Sequence, residues 1–328
     1  MIDGPVFVTG GTGFVGSHLV ERLLKSGVSD VRCLVRSSPR WLDGLPVRVI
    51  EGDLDNTRAL GEALAGVETV FHIAALTRAR SYDAFHAANV RGTELLLERI
   101  EAVAPAVRRV VLTSSLAAVG RSNTPVPDES APLHPVSWYG RSKMEMEQVS
   151  RPFMDRLPIT IVRPPAVFGP READIHTFFR TMSRGLCPIV GSGRDPALSL
   201  VYVDDLVDGM LRAAAADAAT GGTYFLGNRT PLSWHTIRDA AAAALGRRVI
   251  TLPVPRILVR PVGVLSEFGG RLTGSYPAMN REKATEILDA ATMCDSTLAM
   301  NTFDYSPDTS LQDAMNRTMT WYRENGWL

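Results

Sequence analysis

Cysteine is scarce in this 328-residue chain. Cys33, Cys187 and Cys294 stand alone, with no CxxC pair and no His/Cys cluster. That spacing calls for no metal, and a sparse, odd count fits a reducing cytoplasm. Net charge is also missing, since Lys+Arg and Asp+Glu both total 35. No basic excess points to nucleic acid, and there is no acidic tail. Long apolar runs are absent too, so no integral membrane segment is expected. The best candidate, LPVPRILVRPVGVL (252–265), is broken by proline and arginine. It reads as a buried or pocket-lining helix, with membrane-surface attachment as the alternative. The start, MIDGPVFVTGG, enters an apolar strand at once, without the charged and long apolar regions of a signal peptide. Internal repeats and low-complexity linkers are lacking.

What is present is enough for a large core: 45% of residues are hydrophobic against 21% charged. The length suits one large domain, or one domain with a smaller lobe. In the first half, short Val/Ile-rich runs at 6–10, 31–35, 67–74, 108–115 and 159–163 read as buried parallel strands. A further strand is expected at 47–50. Helix patterns at 14–26, 57–65, 82–102 and 138–154 separate the strands, with Thr57 a candidate cap. Such alternation predicts a doubly wound parallel α/β sheet.

The second half is less regular. Segments 163–170 and 185–197 are dense in Pro and Gly and read as loops. Residues 199–216 read as a strand entering a helix, with Asp204 and Asp205 at the favourable N-terminal end. A strand (223–226), an Ala-rich helix (233–246), a strand (249–252) and a closing amphipathic helix stopped by Gly326 follow. The expected division is a dinucleotide-binding domain at 1–170, to which 199–228 returns. Residues 171–198 and 229–328 form a substrate lobe over the carboxyl edge of the sheet, where α/β ligands bind.

VFVTGGTGFVGSHLVERLL is strand, glycine turn and helix, with Gly10, Gly13 and Gly16 spaced GxxGxxG and Gly11 extra. Glycines there permit the tight turn and let backbone approach a pyrophosphate at the helix N-terminus. The second strand ends CLVRSSPR, with Arg36 where an NAD-preferring fold keeps an acid for the ribose 2′-OH. A guanidinium there suits a 2′-phosphate. NADP(H) is therefore favoured and NAD(H) remains possible. Asp53, in EGDLDN, is placed to meet the adenine amino group with Leu54 against the ring, or else is a turn or cap acid. Tyr139 and Lys143, in SWYGRSKMEMEQ, share one helical face. Alone, such a pair is a surface contact worth about 0.2–0.5 kcal/mol.

Taken in order, TGGTGFVG (9–16), GDL (52–54), FHIAA (71–75), NVRGT (89–93), TSSLAAVG (113–120), YGRSK (139–143) and RPPAVFGP (163–170) resemble the extended short-chain dehydrogenase/reductase family nearly end to end. The Arg36 ending and the WYRENGWL finish look like its branch with dihydroflavonol reductases and hydroxysteroid dehydrogenases. The resemblance implies a Rossmann fold with a smaller, mostly helical C-terminal lobe. It implies Tyr139 as catalytic phenol, Lys143 as its partner and Ser115 as catalytic serine, with Ser114 the lesser choice. It also implies cofactor contacts at Gly10, Thr12, Gly13, Phe14, Val15, Ala74, Thr113, Tyr139 and Lys143. Asn89 would contact the cofactor or organise the site, and Pro164 would lie beside the nicotinamide. A homodimer built from helices around 90–102 and 140–153 is implied as well.

A reduced nicotinamide gives hydride to a carbonyl carbon, whose oxygen then needs a proton. A free tyrosine titrates near 10, and a nearby ammonium lowers that value. Tyr139 would then be general acid or base, with Ser115 orienting the substrate oxygen. Three function classes compete: carbonyl reductase or alcohol dehydrogenase, nucleotide-sugar epimerase, and non-catalytic dinucleotide sensor. Leu116 and Ala117 follow Ser115 where dehydratases of the family carry acids, so elimination lacks its proton carriers. Epimerases often grip a pyrophosphate with an arginine at a place that falls near Leu198 here, with Arg194 a few residues early. Sensors tend to lose the Tyr and Lys. The reductase ranks first, with an apolar or mixed carbonyl as substrate. Phe178, Phe179, Met182 and Leu186 suit an apolar pocket or core, and Tyr276 and Met279 are further lining candidates. His86, His134 and His176 read as structural or surface residues.

Overall fold

The computed structural model describes residues 2–194, 196–273 and 279–328. The first half runs β1 (Val6–Thr9), α1 (Phe14–Lys25), β2 (Val31–Val35), β3 (Arg48–Glu51), α2 (Thr57–Leu64), β4 (Thr69–His72), α3 (Tyr82–Phe85), α4 (Gly92–Val103), β5 (Arg109–Thr113), α5 (Trp138–Met154) and β6 (Ile159–Arg163). The rest supplies β7 (Ala166–Phe168), α6 (His176–Met182), β8 (Leu186–Val190), β9 (Pro196–Leu198), β10 (Leu200–Tyr202), α7 (Val203–Ala215), β11 (Thr223–Phe225), β12 (Leu232–Ser233), α8 (Trp234–Leu245), β13 (Ile250–Val254), α9 (Arg256–Thr273), α10 (Arg281–Asp289), α11 (Thr297–Phe303) and α12 (Leu311–Glu324).

Seven strands form one sheet in the order β11-β6-β5-β4-β1-β2-β3, every pairing parallel. Strands β1, β2 and β6 are buried along their whole length, which is why their sequences are mostly apolar rather than alternating, with Arg32, Thr160 and Arg163 the buried polar exceptions. Leu19 and Val20 of α1 and Leu206 and Met210 of α7 pack on one face. Leu60 of α2, Leu97 of α4 and Phe153 of α5 pack on the other. This is a Rossmann-type doubly wound sheet. Strand order reverses between β1 and β4, so the ligand crevice opens at their carboxyl ends. Three short strand pairs, β7–β10, β8–β13 and β9–β12, and the later helices build the C-terminal part. Among the described residues, no helix is long and apolar enough to cross a membrane.

Several local expectations need correction. The helix expected at 82–102 is two helices joined by a π turn at His86–Arg91. Helix α2 is capped by Asn56, whose side chain accepts from the Ala59 amide, and not by Thr57. The Pro/Gly-rich stretches 163–170 and 185–197 are not wholly loop, because each contributes short strands whose pairing is tertiary. The segment 252–265 is mostly exposed and not simply a helix. Its first residues belong to β13, and α9 begins at Arg256 with Ile257, Val262 and Leu265 exposed.

A buried ion pair fixes α5 against the sheet. Arg163, at the end of β6, donates through Nε and Nη2 to the two carboxylate oxygens of Glu147 at 2.9 and 2.7 Å. Ser114, just past β5, donates to the same carboxylate at 2.5 Å. The side chains of Arg163 and Glu147 are 3% and 1% exposed. Removing one partner would strand the other charge in the core. Glu147→Ala is expected to cost about 3–5 kcal/mol in urea-unfolding free energy. An unchanged midpoint and slope would mean the pair does not hold α5.

Candidate active site

The glycine turn sits at the strand-order reversal. Gly10 has φ +76°, and a Cβ there would lie 2.6 Å from the Ala74 amide nitrogen. A Cβ on Gly16 would lie 2.1 Å from the Gly10 carbonyl oxygen. The loop therefore packs against β4's exit and α1's first turn with no space for side chains. Gly13 begins α1 without a side-chain cap, and the first turn holds no acid. The helix thus offers unpartnered amides and a positive dipole end to an anion. Thr12, Phe14 and Val15 are half-buried along this turn. These features fit a dinucleotide pyrophosphate.

Arg36 directly follows β2 and is exposed at the sheet's carboxyl edge. Asp53 accepts from the Asp55 amide at 3.2 Å, so it does serve a turn, yet it stays exposed. Leu54 packs on Gly92, where an added Cβ would meet its Cδ1 at 2.9 Å.

A buried polar line runs beneath the crevice. Thr93 Oγ1 donates to the Asn89 carbonyl, so His72 Nε2 must donate to Thr93. His72 Nδ1 then accepts from Thr9 Oγ1 at 2.7 Å. The Ala74 amide donates to Thr9 in turn. This chain requires neutral His72 protonated on Nε2. Burial drives its pKa to about 3, with the Lys143 charge adding to the effect. Asn89 lies in the π turn. Its amide binds both the Leu76 N–H and C=O and donates to Ser142 Oγ. Of its two expected roles, these contacts are the organising one.

Ser115, Tyr139 and Lys143 converge. Helix α5 starts just before Tyr139, with Ser137 capping the Gly140 amide at 3.1 Å. Ser115 accepts from the Ala117 amide, and its hydroxyl lies near enough to the Tyr139 phenol to lower that group's pKa. Ser114 points instead to Glu147, which separates the two serines by role. Lys143 is buried, and its Nζ donates to the Thr113 carbonyl at 2.6 Å. Burial lowers its pKa to about 8, opposed by the Glu147 charge. Burial raises the Tyr139 phenol to about 12, Ser115 lowers it and the Glu286 charge raises it. Lys143 is not among the dominant influences on the phenol, since its ammonium is turned to Thr113. Among the described residues, Thr113 Oγ1 is buried with no hydrogen-bond partner. Pro164 is buried beside this group, its carbonyl accepting from the Leu116 amide at 2.9 Å.

Two acids that the sequence did not single out join from α10. The Trp138 amide donates to both Glu282 carboxylate oxygens, at 3.2 and 3.0 Å, so α10 caps the N-terminus of α5 across 144 residues. Burial raises Glu282 to about 7, and the Glu286 and Glu267 charges add to this. No local pattern discloses this contact. Glu147 was more accessible, because it lies one turn beyond Lys143.

The substrate-side expectations divide. Phe179 and Met182 are fully buried core residues. Phe178 packs edge-on against Trp234, and Leu186 is exposed. Met279 is half-buried, and Tyr276 lies outside the described residues. Arg194 is exposed and Leu198 half-buried in β9. His86 and His134 are exposed, and His176 bonds the Trp327 carbonyl.

Residues 6–227 match the NAD dependent epimerase/dehydratase family. The chain is 32% identical to ceramide reductase of Caulobacter vibrioides, over 99% of this chain and 96% of that protein. It is 26% identical to N-acetyl-alpha-D-glucosaminyl-diphospho-ditrans,octacis-undecaprenol 4-epimerase of Escherichia coli O157:H7, over 96% and 94%. The solved structure of MoeE5 with UDP-glucuronic acid and NAD superimposes with a TM-score of 0.76 at 25% identity, covering 98% of this chain and 100% of that one. Fold, glycine turn and family match agree: the chain belongs to the NAD dependent epimerase/dehydratase family and is an NAD(P)-dependent enzyme of the extended short-chain dehydrogenase/reductase type.

Proposed function

We propose that the protein is an NADP(H)-dependent reductase that interconverts an apolar or mixed carbonyl and its alcohol. The observation that carries this reading is the convergence of Ser115 and Tyr139, where the serine lowers the phenol's pKa, with Lys143 one turn along the same helix. The nicotinamide, when bound, supplies or accepts the hydride. Ser115 orients the substrate oxygen, and Tyr139 Oη passes its proton to that oxygen in reduction. At neutral pH a Lys143 pKa of about 8 leaves the ammonium charged. To stabilise the phenolate left on Tyr139, that ammonium must turn from the Thr113 carbonyl it holds here toward the phenol. Resemblance to ceramide reductase supports a carbonyl on a long-chain substrate. Arg36 at the end of β2 supports a 2′-phosphate on the cofactor.

A second reading, NAD-dependent epimerisation of a nucleotide-linked or diphospholipid-linked sugar, rests on the likeness to the undecaprenol 4-epimerase and to MoeE5. Against it stand Leu198 in the place of the gripping arginine and Arg36 in the place of the ribose acid. The family homodimer through α4 and α5, and a substrate lobe at 171–198 and 229–328, belong to the first reading.

Three measurements test it. NADPH should bind at least about tenfold more tightly than NADH, and Arg36→Glu should reverse the order, because a carboxylate repels a 2′-phosphate; equal affinities would return the cofactor to NAD. Tyr139→Phe should keep cofactor affinity and lose about 10²–10⁴-fold in turnover with a ketone or aldehyde panel; retained turnover would remove the phenol from the chemistry. Lys143 has a lowered folded pKa, so it loses its proton as pH rises through about 8. Carbonyl reduction should accordingly decline above that pH, and a flat profile to pH 10 would separate the ammonium from the reaction.

A further inference from the structure

Helix α9 is amphipathic in the reverse sense for a surface helix. Its protein-facing positions are Val259, Gly263 and Gly270. A Cβ on Gly263 would lie 2.8 Å from the Asn280 carbonyl, so α9 lies close against the start of α10. The opposite stripe is apolar and open: Ile257 is 81% exposed, Leu265 70% and Phe268 63%. Strand β13, one residue upstream of α9, repeats the pattern. Ile250 and Leu252 are exposed, as is Leu186, which pairs with Ile250 in register. The alternate residues of β8, Cys187 and Ile189, are buried in the core. One continuous strand–helix unit therefore turns its larger apolar side chains outward, where a monomer in water gains nothing from them.

The charges along this unit are mostly positive, with Glu267 of α9 paired to Arg281. From Arg247 to Ser266 the chain carries four arginines, Arg247, Arg248, Arg256 and Arg260, and no Asp or Glu. All four are exposed. Arg256 donates to the Leu288 carbonyl and Arg260 pairs with Asp289, which lash α9 to α10. An isologous contact with a second copy would set this arginine-rich patch against itself, and like charges oppose that. A bilayer with anionic lipid has no such conflict. Its acyl boundary takes the apolar stripe, and its headgroups take the guanidinium groups.

We propose that α9 and β13 form a docking face for the surface of an anionic phospholipid bilayer. Helix α10 packs on α9 and also reaches the start of α5. Glu282 of α10 holds the Trp138 amide, and the charge of Glu286 reaches Tyr139. A docked bilayer would lie one helix away from the Ser115–Tyr139 pair. The inference does not depend on the reductase reading, since its test needs neither cofactor nor turnover.

The full chain should be sedimented with phosphatidylcholine vesicles and with phosphatidylcholine–phosphatidylglycerol vesicles. Binding to the mixed vesicles should be at least about tenfold tighter, and high salt should weaken it. Ile257→Ser, Leu265→Ser and Phe268→Ser combined should abolish sedimentation and leave the melting temperature unchanged. Arg248→Glu alone should weaken binding to the mixed vesicles about fivefold or more. Failure of the parent chain to sediment with either vesicle overturns the proposal. So does a triple variant that binds as well as the parent. A dimer seen by light scattering that the triple variant splits, with no vesicle binding, assigns the face to a second copy instead.

Discussion

Helix α5 presents Tyr139 and Lys143 to the crevice while Glu147, one turn further along the same face, is held to the sheet by Arg163. Each charge is nearly inaccessible to water, so neither is tolerable without the other. Ser114 closes the group from the end of β5, and the next residue, Ser115, is thereby turned the opposite way toward the phenol. Adjacent serines take different roles because successive residues leaving a strand face opposite sides. The same carboxylate raises the proton affinity of Lys143 against the pull of burial. Structural anchoring and the electrostatics of the site meet in one residue, Glu147.

The polar line from Thr9 through His72 and Thr93 to Asn89 does comparable work on the cofactor side. It joins the end of β1 to the π turn, and Asn89 extends it to α5 through Ser142. A π turn inserts an extra residue into a helix and realigns its face, often at functional sites. Here it puts the Asn89 amide within reach of the Leu76 backbone, in the loop that follows β4. The crevice is therefore framed by buried hydrogen bonds rather than by loops alone, which suits a site that must present fixed geometry to a bound ligand.

Much of this was legible in the chain. Continuous Val/Ile runs disclosed the strands because a parallel sheet covered on both faces tolerates no alternation. The glycine spacing disclosed the dinucleotide turn because no side chain fits between Gly10 and Ala74 or between Gly16 and Gly10. Tyr139, Lys143 and Ser115 were picked out as a set through their order along the chain, and the fold brings them close together. Misses occurred where long-range contacts decide the outcome. Phe178, Phe179 and Met182 have a spacing that serves pocket or core equally, and packing beneath α8 and α12 placed Phe179 and Met182 in the core. Segment 252–265 is apolar enough to be buried, but α9 has α10 on one side only.

The sequence by itself determined the sheet, the glycine turn, the residue types of the reaction and the helical spacing that puts Tyr139 beside Lys143. Those follow from local periodicity and from steric limits on single residues. Tertiary structure alone decided the charge environment of the site. Glu282 and Glu286 reach the start of α5 from far along the chain, and the Lys143 ammonium turns toward Thr113. It also decided which apolar surface stays open. Burial, and with it the desolvation that moves each pKa, depends on which segments pack together, and no local window of residues contains that information.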